Sequence, residues 1–328
     1  MRRAVVLFSG GLDSMLAARI LQRQGFEIDA LNIRTTFDCC KVPAAQTAVE
    51  MGIRLTVLSV DDNYIDLIRQ PRYGYGKGMN PCIDCRIRMC EMAREFMERV
   101  GACLVATGEV VGQRPKSQKR RDLEIIARSS GLDGHLLRPL SAKLLPATAV
   151  ELEGIVDRER LYAFSGRGRV ELIALAEELG LPSIPQPSTG CALTETTFAP
   201  RVRDLLTHRP TAARWEFELL NVGRHIRLDE ETKIVIGRNA GENAVLELAY
   251  RRAASFAAAF LHPENFLGPD AMILGRVDEA SIDRAASLIL RYTRRFGPRD
   301  AQVRLVHAGT ERIVAARVDN TTDQLPLL

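Results

Sequence analysis

The stretch Ser9–Ser14, with the sequence SGGLDS, decides the fold of this chain. It follows the apolar run Ala4–Phe8 and precedes a helical pattern from Met15 to Gln24, so we expect a strand that turns directly into a helix. Such a turn presents backbone N–H groups and the positive end of a helix dipole to an anion. Its glycines allow unusual backbone angles and the close approach of a phosphate. The stretch predicts a phosphate site; a merely capped strand–helix turn is the alternative.

The composition is that of an ordinary globular protein. At 328 residues the chain is long enough for two cores, and 46% of its residues are hydrophobic and 26% charged. A formal net charge of +4 permits a nucleic-acid partner without demanding one. No segment resembles a membrane span or a signal peptide, so we expect a cytoplasmic protein with no membrane partner. The odd number of cysteines, seven, argues against a disulfide framework and for thiols used in chemistry or ligation.

Strand-like and helical segments alternate through most of the chain. Further buried strands are expected at Ile28–Ile33 and Ala102–Ala106. This alternation predicts an α/β fold of βαβ units, with a doubly wound parallel sheet of Rossmann type. The rhythm ends near residue 208. We therefore expect one domain over residues 1–208 and a second, smaller α+β domain over residues 209–328.

Polar segments follow several of the predicted strands. They are Ser9–Ser14, Thr35–Cys40 and Thr107–Glu109. In open parallel sheets ligands bind beyond the carboxyl ends of the strands, so these segments should gather at one edge. The basic loop Gln113–Arg121 leaves the same edge, and it is either a solvated face or a contact for phosphate or RNA.

Three cysteines form a candidate site for sulfur chemistry. Cys82 and Cys85 form a C-x-x-C pair at the start of a predicted helix, and Cys191 lies in a distant loop. A thioredoxin-type pair would end the first strand of its fold, which this pair does not, and a structural zinc site wants four ligands. Three cysteines can hold a [4Fe–4S] cluster with one open iron. Without metal, Cys85 and Cys191 can instead carry a persulfide and resolve it as a disulfide.

Two further features lie at the end of the second predicted strand. Asp38 is a candidate metal ligand or general base near a bound nucleotide. Cys39 and Cys40 follow it directly, and a role in sulfur handling is the functional alternative to an ordinary structural role.

The order of these motifs resembles that of the PP-loop tRNA thiolases, which are adenine nucleotide alpha hydrolase-like enzymes, and most of all the tRNA 2-thiouridylases. The motifs are Ser9–Ser14, Asn80–Cys85, Ala106–Gly108 and Ser188–Cys191. The likeness covers about the first 200 residues. The three-cysteine layout is similar to that of the cluster-dependent members. The C-terminal barrel of the 2-thiouridylases is not evident, and the loop that contains Cys191 diverges from the family sequence after this cysteine. These two departures bear on the identity of the target nucleotide more than on the reaction.

The resemblance implies a reaction and a set of ligands. Such enzymes split ATP between its α and β phosphates and leave AMP on an oxygen of the substrate. The implied cofactors are ATP, Mg²⁺ and a [4Fe–4S] cluster, and the implied partners are tRNA and a sulfur donor, either sulfide or a persulfide carrier. The residues it assigns to ATP are Ser9, Gly10, Gly11, Asp13, Ser14 and Gly108; those it assigns to the cluster are Cys82, Cys85 and Cys191.

The segment Ile236–Asn243 resembles the NFACT RNA-binding domain. A strand–turn–helix with Asn239 as its cap is an equally good interpretation of the residues alone. If the domain binds RNA, we expect arginines to contact the phosphates. The candidates are Arg224, Arg227, Arg238, Arg251 and Arg252.

These features favour an ATP-dependent tRNA sulfurtransferase that adenylates a uridine carbonyl oxygen and replaces it with sulfur. In that reaction Cys85, Cys191 and Asp38 are the expected catalytic residues. The alternative is a PP-loop ATP-dependent ligase or sulfur-inserting enzyme that acts on a small molecule. A non-catalytic RNA-binding module is a third possibility, against which the intact SGGLDS stretch argues.

Overall fold

The computed structural model describes residues 2–38, 44–187, 191–253, 258–293, 299–319, 325 and 327–328. Cys39 and Cys40 lie outside the described residues, as do residues 188–190 of the loop before Cys191. The chain forms two compact units, residues 1–194 and residues 195–328. Each unit is described by itself below.

The boundary between the units lies at Thr194–Glu195 and not at residues 208–209. The reason is the helix α8 (Ala199–His208), which belongs with the second unit. Asp204 of this helix accepts two hydrogen bonds of 2.8 Å from the Arg227 guanidinium and a third of 2.8 Å from Lys233 Nζ. Lys233 is buried, so removing the helix would leave its charge without this partner.

The first unit is built around five short strands and seven α-helices among its described residues. The strands are β1 (Arg2–Leu7), β2 (Phe26–Arg34), β3 (Arg54–Ser59), β4 (Leu104–Thr107) and β5 (Leu136–Leu137). The helices are α1 (Leu12–Arg23), α2 (Ala44–Glu50), α3 (Asn63–Arg69), α4 (Cys82–Val100), α5 (Arg120–Ser129), α6 (Ala149–Leu152) and α7 (Val170–Glu178).

The strands form one parallel sheet in the order β3-β2-β1-β4-β5. Ala4 and Val6 of β1 join the core beneath α1 and α7. The alternate residues Val5 and Leu7 are also buried and so face the other side, where α4 packs on β1 and β4. The predicted doubly wound α/β fold is therefore confirmed. Strand order reverses between β1 and β4, which is where such sheets bind ligands.

The second unit is an α+β fold, as predicted. Its strands are β6 (Arg224–Arg227), β7 (Thr232–Ile236), β8 (Ala258–Pro263), β9 (Ala271–Gly275), β10 (Gln302–His307) and β11 (Thr310–Ala315). They form an antiparallel sheet in the order β11-β10-β8-β9-β7-β6. The helices that accompany α8 are α9 (Arg214–Leu219), α10 (Ala240–Ala253) and α11 (Glu279–Arg291).

Two cores hold this second sheet, one on each face. Leu246 and Ala249 of α10 pack on one face, and Ile282 and Ile289 of α11 pack on the other. Among the described residues, no helix has both the length and the apolar character needed to cross a membrane.

Candidate functional site

The SGGLDS stretch forms the turn between β1 and α1. Gly10 has a φ of 77°, a conformation that a residue with a Cβ adopts only with strain. The Gly11 carbonyl accepts hydrogen bonds from the Ser14 and Met15 N–H groups, each at 3.1 Å, and from Ser14 Oγ at 2.8 Å. Ser9 Oγ accepts from the Gly11 N–H at 3.3 Å. The turn is therefore held from within, and the first turn of α1 leaves backbone N–H groups for an anion.

Gly108, just after β4, lies against the main chain of this turn. A Cβ at position 108 would be 2.4 Å from the carbonyl carbon and oxygen of Asp13 and 2.6 Å from the Ser14 nitrogen. These distances are shorter than any real carbon contact, so only glycine fits here without displacing the start of α1. The chain just after β4 thus packs closely against the backbone of the first turn of α1. We call the SGGLDS turn and Gly108 together the phosphate cradle.

The Asp13 carboxylate lies beside several polar groups of the unit. Gln113 Nε2 donates a hydrogen bond of 3.1 Å to Asp13 Oδ2. Burial raises the pKa of Asp13, whereas the Gln113 hydrogen bond and the charges of Arg169 and Arg114 act in the opposite direction. In the same basic loop, Lys116 Nζ donates to the Tyr73 carbonyl at 3.0 Å. The cradle therefore has one carboxylate and two nearby guanidinium groups.

Glu109 connects the cradle to the C-x-x-C helix. Its side chain is buried and lies 3.2 Å from Arg138 Nε and 3.3 Å from Arg86 Nε, while Thr107 Oγ1 donates to it at 3.2 Å. Burial alone would raise the pKa of Glu109, but the two guanidinium groups hold it below its ordinary value. Arg86 directly follows Cys85 in α4. Gly108 thus contacts the SGGLDS turn, and its neighbour Glu109 contacts the helix that carries the C-x-x-C pair.

The segment before α4 positions the C-x-x-C pair. Cys82 is the first residue of the helix, and the buried side chain of Asn80 precedes it. Between the two cysteines, the Asp84 carboxylate accepts hydrogen bonds from the backbone N–H groups of Arg72 and Tyr73, at 2.9 and 3.1 Å. Asp84 therefore ties the preceding glycine-rich loop to the helix start. It is a structural residue.

Each of the three predicted sulfur ligands has its own hydrogen-bonding neighbour that can act as a donor. The pairs are Cys82 with Asn80 Nδ2 at 3.0 Å, Cys85 with the Tyr64 hydroxyl at 3.3 Å, and Cys191 with the Leu193 N–H. All three thiols are free and half-buried. Sulfur that accepts hydrogen bonds carries negative charge more readily, as in a thiolate, a persulfide or a metal ligand.

The backbone at Asp38 pairs with the loop that contains Cys191. Its carboxylate accepts hydrogen bonds from the Thr35 N–H at 2.8 Å and from Thr35 Oγ1 at 2.7 Å, closing the turn after β2. Its backbone forms an antiparallel bridge with Cys191, and the Ala192 N–H donates to the Phe37 carbonyl at 3.0 Å. The structure therefore gives Asp38 a role in the turn. Whether it also acts as a base or metal ligand stays a prediction.

Burial dominates the pKa values of two of the three thiols. Burial raises the pKa of Cys85 to about 11, with Tyr64 and Arg86 opposing and Cys82 and Asp38 reinforcing it. Burial likewise raises the pKa of Cys191 to about 12, and the charges of Cys85, Cys82 and Asp38 add to the effect. Burial therefore favours the neutral thiol form of both Cys85 and Cys191.

The three thiols are also the candidate ligands of the metal–sulfur cluster that the resemblance implies. Among the described ranges, no three histidine, cysteine or acidic side chains converge closely enough to hold one metal ion. Three free thiols, each with a hydrogen-bonding neighbour, have the donor chemistry that a [4Fe–4S] cluster uses. That they hold such a cluster stays a prediction.

In the second unit, most of the arginines proposed to contact RNA are already in ion pairs. Arg227 is half-buried and clamps Asp204 with two hydrogen bonds, so its role is internal. The closest contacts of the other paired arginines are Arg238 with Glu242 at 2.6 Å, Arg251 with Glu247 at 2.6 Å and Arg252 with Glu218 at 3.7 Å. Arg224 makes no ion pair within the described part of the chain and stacks on Tyr292.

Tyr64 and Arg86 were missed at the level of the sequence, and Glu109 was named only as the end of a polar segment. Tyr64 lies on α3, outside every motif, and nothing in its neighbourhood signals that its hydroxyl meets a sulfur. Arg86 and Glu109 each adjoin a motif, directly after Cys85 and Gly108, and a charge next to a motif was an available signal. The ion pair between them joins two separate segments, and nothing in the sequence signals it.

Family models match both units of the chain. Residues 2–155 match the model described as "tRNA methyl transferase HUP domain". Residues 223–324 match the model described as "NFACT protein RNA binding domain". The first match covers the cradle, Glu109 and the C-x-x-C pair, and it ends before Cys191.

Among the relatives that the chain matches are tRNA-specific 2-thiouridylases. MnmA 2 of Thermoanaerobacter sp. strain X514 is 28% identical over 207 residues, which cover 57% of this chain and 54% of the relative. MnmA of Trichlorobacter lovleyi is 29% identical over 175 residues, covering 50% and 49%. MnmA of Thermus thermophilus is 27% identical over 214 residues, covering 58% and 53%. The chain thus spans about half the length of these curated relatives. Together the matches identify residues 2–155 as a HUP domain of the tRNA methyl transferase type and residues 223–324 as an NFACT-type RNA-binding domain.

Proposed function

We propose that this protein is an ATP-dependent tRNA sulfurtransferase that adenylates a uridine carbonyl oxygen and replaces that oxygen with sulfur. One observation carries the proposal. Gly108 contacts the phosphate turn through backbone, while its neighbour Glu109 pairs with Arg86 of the cysteine helix. The proposed phosphate site and the proposed sulfur site are therefore connected by two consecutive residues, Gly108 and Glu109. An enzyme that only cleaved ATP would have no use for the three thiols.

At the cradle, the chain binds and orients ATP. Backbone N–H groups of the turn face the phosphates, and Mg²⁺ that accompanies ATP would be held against the Asp13 carboxylate. The carbonyl oxygen of the base attacks the α-phosphorus, and the bond to the oxygen bridging to the β-phosphorus breaks. Pyrophosphate leaves with the electron pair of that bond. Arg114 and Arg169, whose charges reach Asp13, favour the developing charge on pyrophosphate.

At the three thiols, the chain presents the sulfur. Cys82, Cys85 and Cys191 would hold a [4Fe–4S] cluster, which when bound supplies an open iron position for sulfide. Asn80, Tyr64 and the Leu193 N–H orient the three cysteine sulfurs. In the alternative without metal, one of Cys85 and Cys191 carries a persulfide and the other resolves it as a disulfide.

The second step completes the exchange of oxygen for sulfur. A sulfur nucleophile attacks the carbon that bears the adenylated oxygen, a C–S bond forms, and the C–O bond breaks. AMP leaves with the former carbonyl oxygen. A carbonyl oxygen is a poor leaving group without this activation, which explains the need for ATP. The sulfur comes from an external donor: sulfide on the cluster route, or a persulfide carrier, whose outer sulfur is already at the required oxidation level, on the metal-free route. We place the reaction in the cytoplasm.

The proposal is tested by separating the two steps with Cys191→Ser. Anaerobically purified full-length protein is incubated with ATP, Mg²⁺, sulfide and tRNA. AMP is measured by chromatography and thiolated nucleosides by mass spectrometry of digested tRNA. We expect the variant to form no thiolated nucleoside while AMP formation stays within about twofold of the unaltered protein, because the cradle is untouched.

The control is Cys103→Ser. Cys103 is also free and half-buried, but it lies at the amino end of β4, where its thiol donates to the Arg3 carbonyl. It should behave like the unaltered protein in both assays. The proposal fails if Cys191→Ser thiolates tRNA normally. It also fails if AMP forms equally well without RNA and no nucleoside gains sulfur, which would favour the ligase acting on a small molecule.

A further inference from the structure

A cavity of about 570 Å³ lies in the first unit, where β5 forms one edge of the parallel sheet. Its walls are β5, one face of α5 and the segment that leads into α6. The lining residues of α5 have the spacing of a single helix face: Arg120, Leu123, Glu124 and Ala127. Sites for small molecules typically enclose ~300–1,000 Å³. The cavity therefore has the size of a small-molecule site.

The cavity is separate from the site described above. Among the described residues, its lining includes neither the SGGLDS turn nor any of the three predicted sulfur ligands. Most of the lining is apolar, and an apolar ligand surface gains free energy when it leaves water for such a space. The apolar lining residues are Leu123, Ala127, Leu136, Leu137, Ala142, Leu144, Leu145, Pro146 and Ala147.

Two arginines place positive charge at one end of this apolar space. Arg120 is the first residue of α5, and Arg138 Nη2 donates a hydrogen bond of 2.9 Å to the Leu123 carbonyl in the first turn of that helix. The N-cap residue Lys119 makes no side-chain capping bond, so the positive end of the helix dipole adds to the same region. The amino end of α5 is therefore the cationic end of the cavity.

The buried arginine keeps one donor unused. The Arg138 side chain is only 5% exposed; its Nε donates to Glu109 at 3.2 Å and its Nη2 to Leu123. Within the described ranges, Nη1 has no hydrogen-bond partner. Glu109 is shared with Arg86, so one carboxylate faces two guanidinium groups. A guanidinium with a free N–H donor beside an apolar space is suited to a carboxylate or a phosphate.

The acidic residues of the lining do not cancel this charge. Glu151 is paired with Arg158, and Glu124 is paired with Arg128 at 2.8 Å. Asp133 follows the carboxyl end of α5, and a helix of this length places that end about 15 Å from its start. The negative charge of Asp133 thus belongs to the opposite end of the cavity.

We propose that this cavity binds a small amphipathic anion, a molecule with an apolar body and one carboxylate or phosphate group. The anionic group meets Arg138 Nη1 and Arg120, and the apolar body lies between α5, β5 and the two leucines Leu144 and Leu145. The inference does not depend on the proposed reaction, because no step of that reaction uses the cavity.

The test compares two fluorescent dyes of nearly the same shape. 8-Anilinonaphthalene-1-sulfonate (ANS) has an aromatic body with one anionic group, and N-phenyl-1-naphthylamine (NPN) has the same body without the charge. Each dye is titrated into the full-length protein at several salt concentrations, without ATP, RNA or a sulfur donor. Saturable ANS binding by the unaltered protein is the first expected result.

Three variants alter the cavity, and two exposed residues outside its lining supply matched controls. Ala147→Trp fills the space, Arg138→Lys removes the free Nη1 donor but keeps a charge beside Glu109, and Arg120→Ala removes the exposed cation. The controls are Ala163→Trp and Arg121→Ala. Thermal melting shows which proteins are folded. Ala147→Trp and Arg120→Ala decide the outcome if the buried Arg138 does not tolerate substitution.

We expect Ala147→Trp to weaken the binding of both dyes by at least about tenfold, because the indole occupies the space of the apolar body. Arg120→Ala and Arg138→Lys should each weaken ANS binding by roughly fivefold and leave NPN binding unchanged. Added salt should weaken ANS binding and not NPN binding. Both controls should bind both dyes like the unaltered protein.

Competition with bound ANS identifies the anionic group. Octanoate and octyl phosphate are the two competitors, and octanol is the uncharged reference. We expect at least one of the two anions to displace ANS at concentrations where octanol does not, and the stronger competitor distinguishes a carboxylate ligand from a phosphate ligand.

Several results would overturn the proposal. They are the absence of saturable ANS binding, undiminished binding by Ala147→Trp, equal losses of ANS and NPN in Arg120→Ala, and displacement of ANS by octanol as readily as by both anions. Displacement of ANS by tRNA would assign the cavity to RNA and overturn it as well.

Discussion

The phosphate cradle and the sulfur site lie in the same unit but are built in different ways. The cradle consists mainly of backbone: the Gly10 and Gly11 turn, the N–H groups that open α1, and the close approach of Gly108. The sulfur site is made of side chains from separate segments, with a hydroxyl from Tyr64 and an amide from Asn80 beside two of its sulfurs.

This difference determines how each region can be damaged. A backbone site tolerates many side-chain changes but not an added Cβ, because the close approach leaves no space for it. A site made of side chains tolerates changes in the backbone around it. It does not tolerate the loss of a polar atom, since each sulfur has few hydrogen-bonding partners. Three substitutions test this contrast, starting with the largest expected effect.

Gly108→Ala should damage the cradle most severely. Its Cβ would lie 2.4 Å from the Asp13 carbonyl group, so the first turn of α1 must move. A displacement of this size at a reacting centre costs about 100-fold in rate, and both AMP formation and thiolation should fall by that much. Both are measured with tRNA as substrate, together with thermal melting.

The matched control for this substitution is Gly168→Ala, where an added Cβ meets nothing within 4 Å and no positive φ is needed. This substitution should change neither AMP formation nor thiolation. If Gly108→Ala retained normal AMP formation, the contact between β4 and the turn would have no part in binding ATP.

Glu109→Gln should affect both regions, because Glu109 lies between them. The amide keeps the shape of the side chain but removes the negative charge between Arg86 and Arg138. Residues that hold a functional group in place typically contribute tenfold or more, so we expect both activities to drop by about tenfold. The melting temperature should also fall, since the buried Arg138 and the half-buried Arg86 lose their anion.

Glu124→Gln, an exposed partner of Arg128, is the corresponding control and should leave both activities and the melting temperature unchanged. A loss confined to AMP formation or to thiolation in Glu109→Gln would show that the two regions work independently of this residue.

Tyr64→Phe should have the smallest effect and should act on one region alone. It removes the hydroxyl 3.3 Å from the Cys85 sulfur and leaves the buried ring in place. Loss of one hydrogen bond of about 1 kcal/mol corresponds to roughly a fivefold decrease, here in thiolation and not in AMP formation. Tyr73→Phe, which loses a contact with Ser129, is the control. An equal decrease in AMP formation would contradict the separation of the two regions.

The same contrast explains what could be predicted from the sequence. The parallel sheet, the position of the cradle and the gathering of Asp38 and Cys191 at one edge follow from contiguous motifs and from the rule that strand ends meet. The contacts of Tyr64 with Cys85 and of Glu109 with Arg86 join elements distant in sequence, and no local pattern encodes them. The roles assigned to the site residues remain predictions.

The boundary between the units lies earlier than the sequence predicts for a similar reason. The segment that forms α8 reads as one more helix of the alternating series. Its membership in the second unit depends on Asp204 meeting Arg227 and Lys233, residues that follow it by more than twenty positions. Ion pairs between elements of this kind leave no trace in hydrophobic periodicity.

The bridge between Asp38 and Cys191 has a consequence for biosynthesis. It joins residues separated by about 150 positions, and Cys191 lies only four residues before the second unit begins. A chain made from its amino terminus exposes the SGGLDS turn almost at once, but its third thiol leaves the ribosome after the whole parallel sheet. Any loading of sulfur or iron that requires three thiols must therefore wait for translation of the first unit to finish, and it competes in time with emergence of the RNA-binding domain.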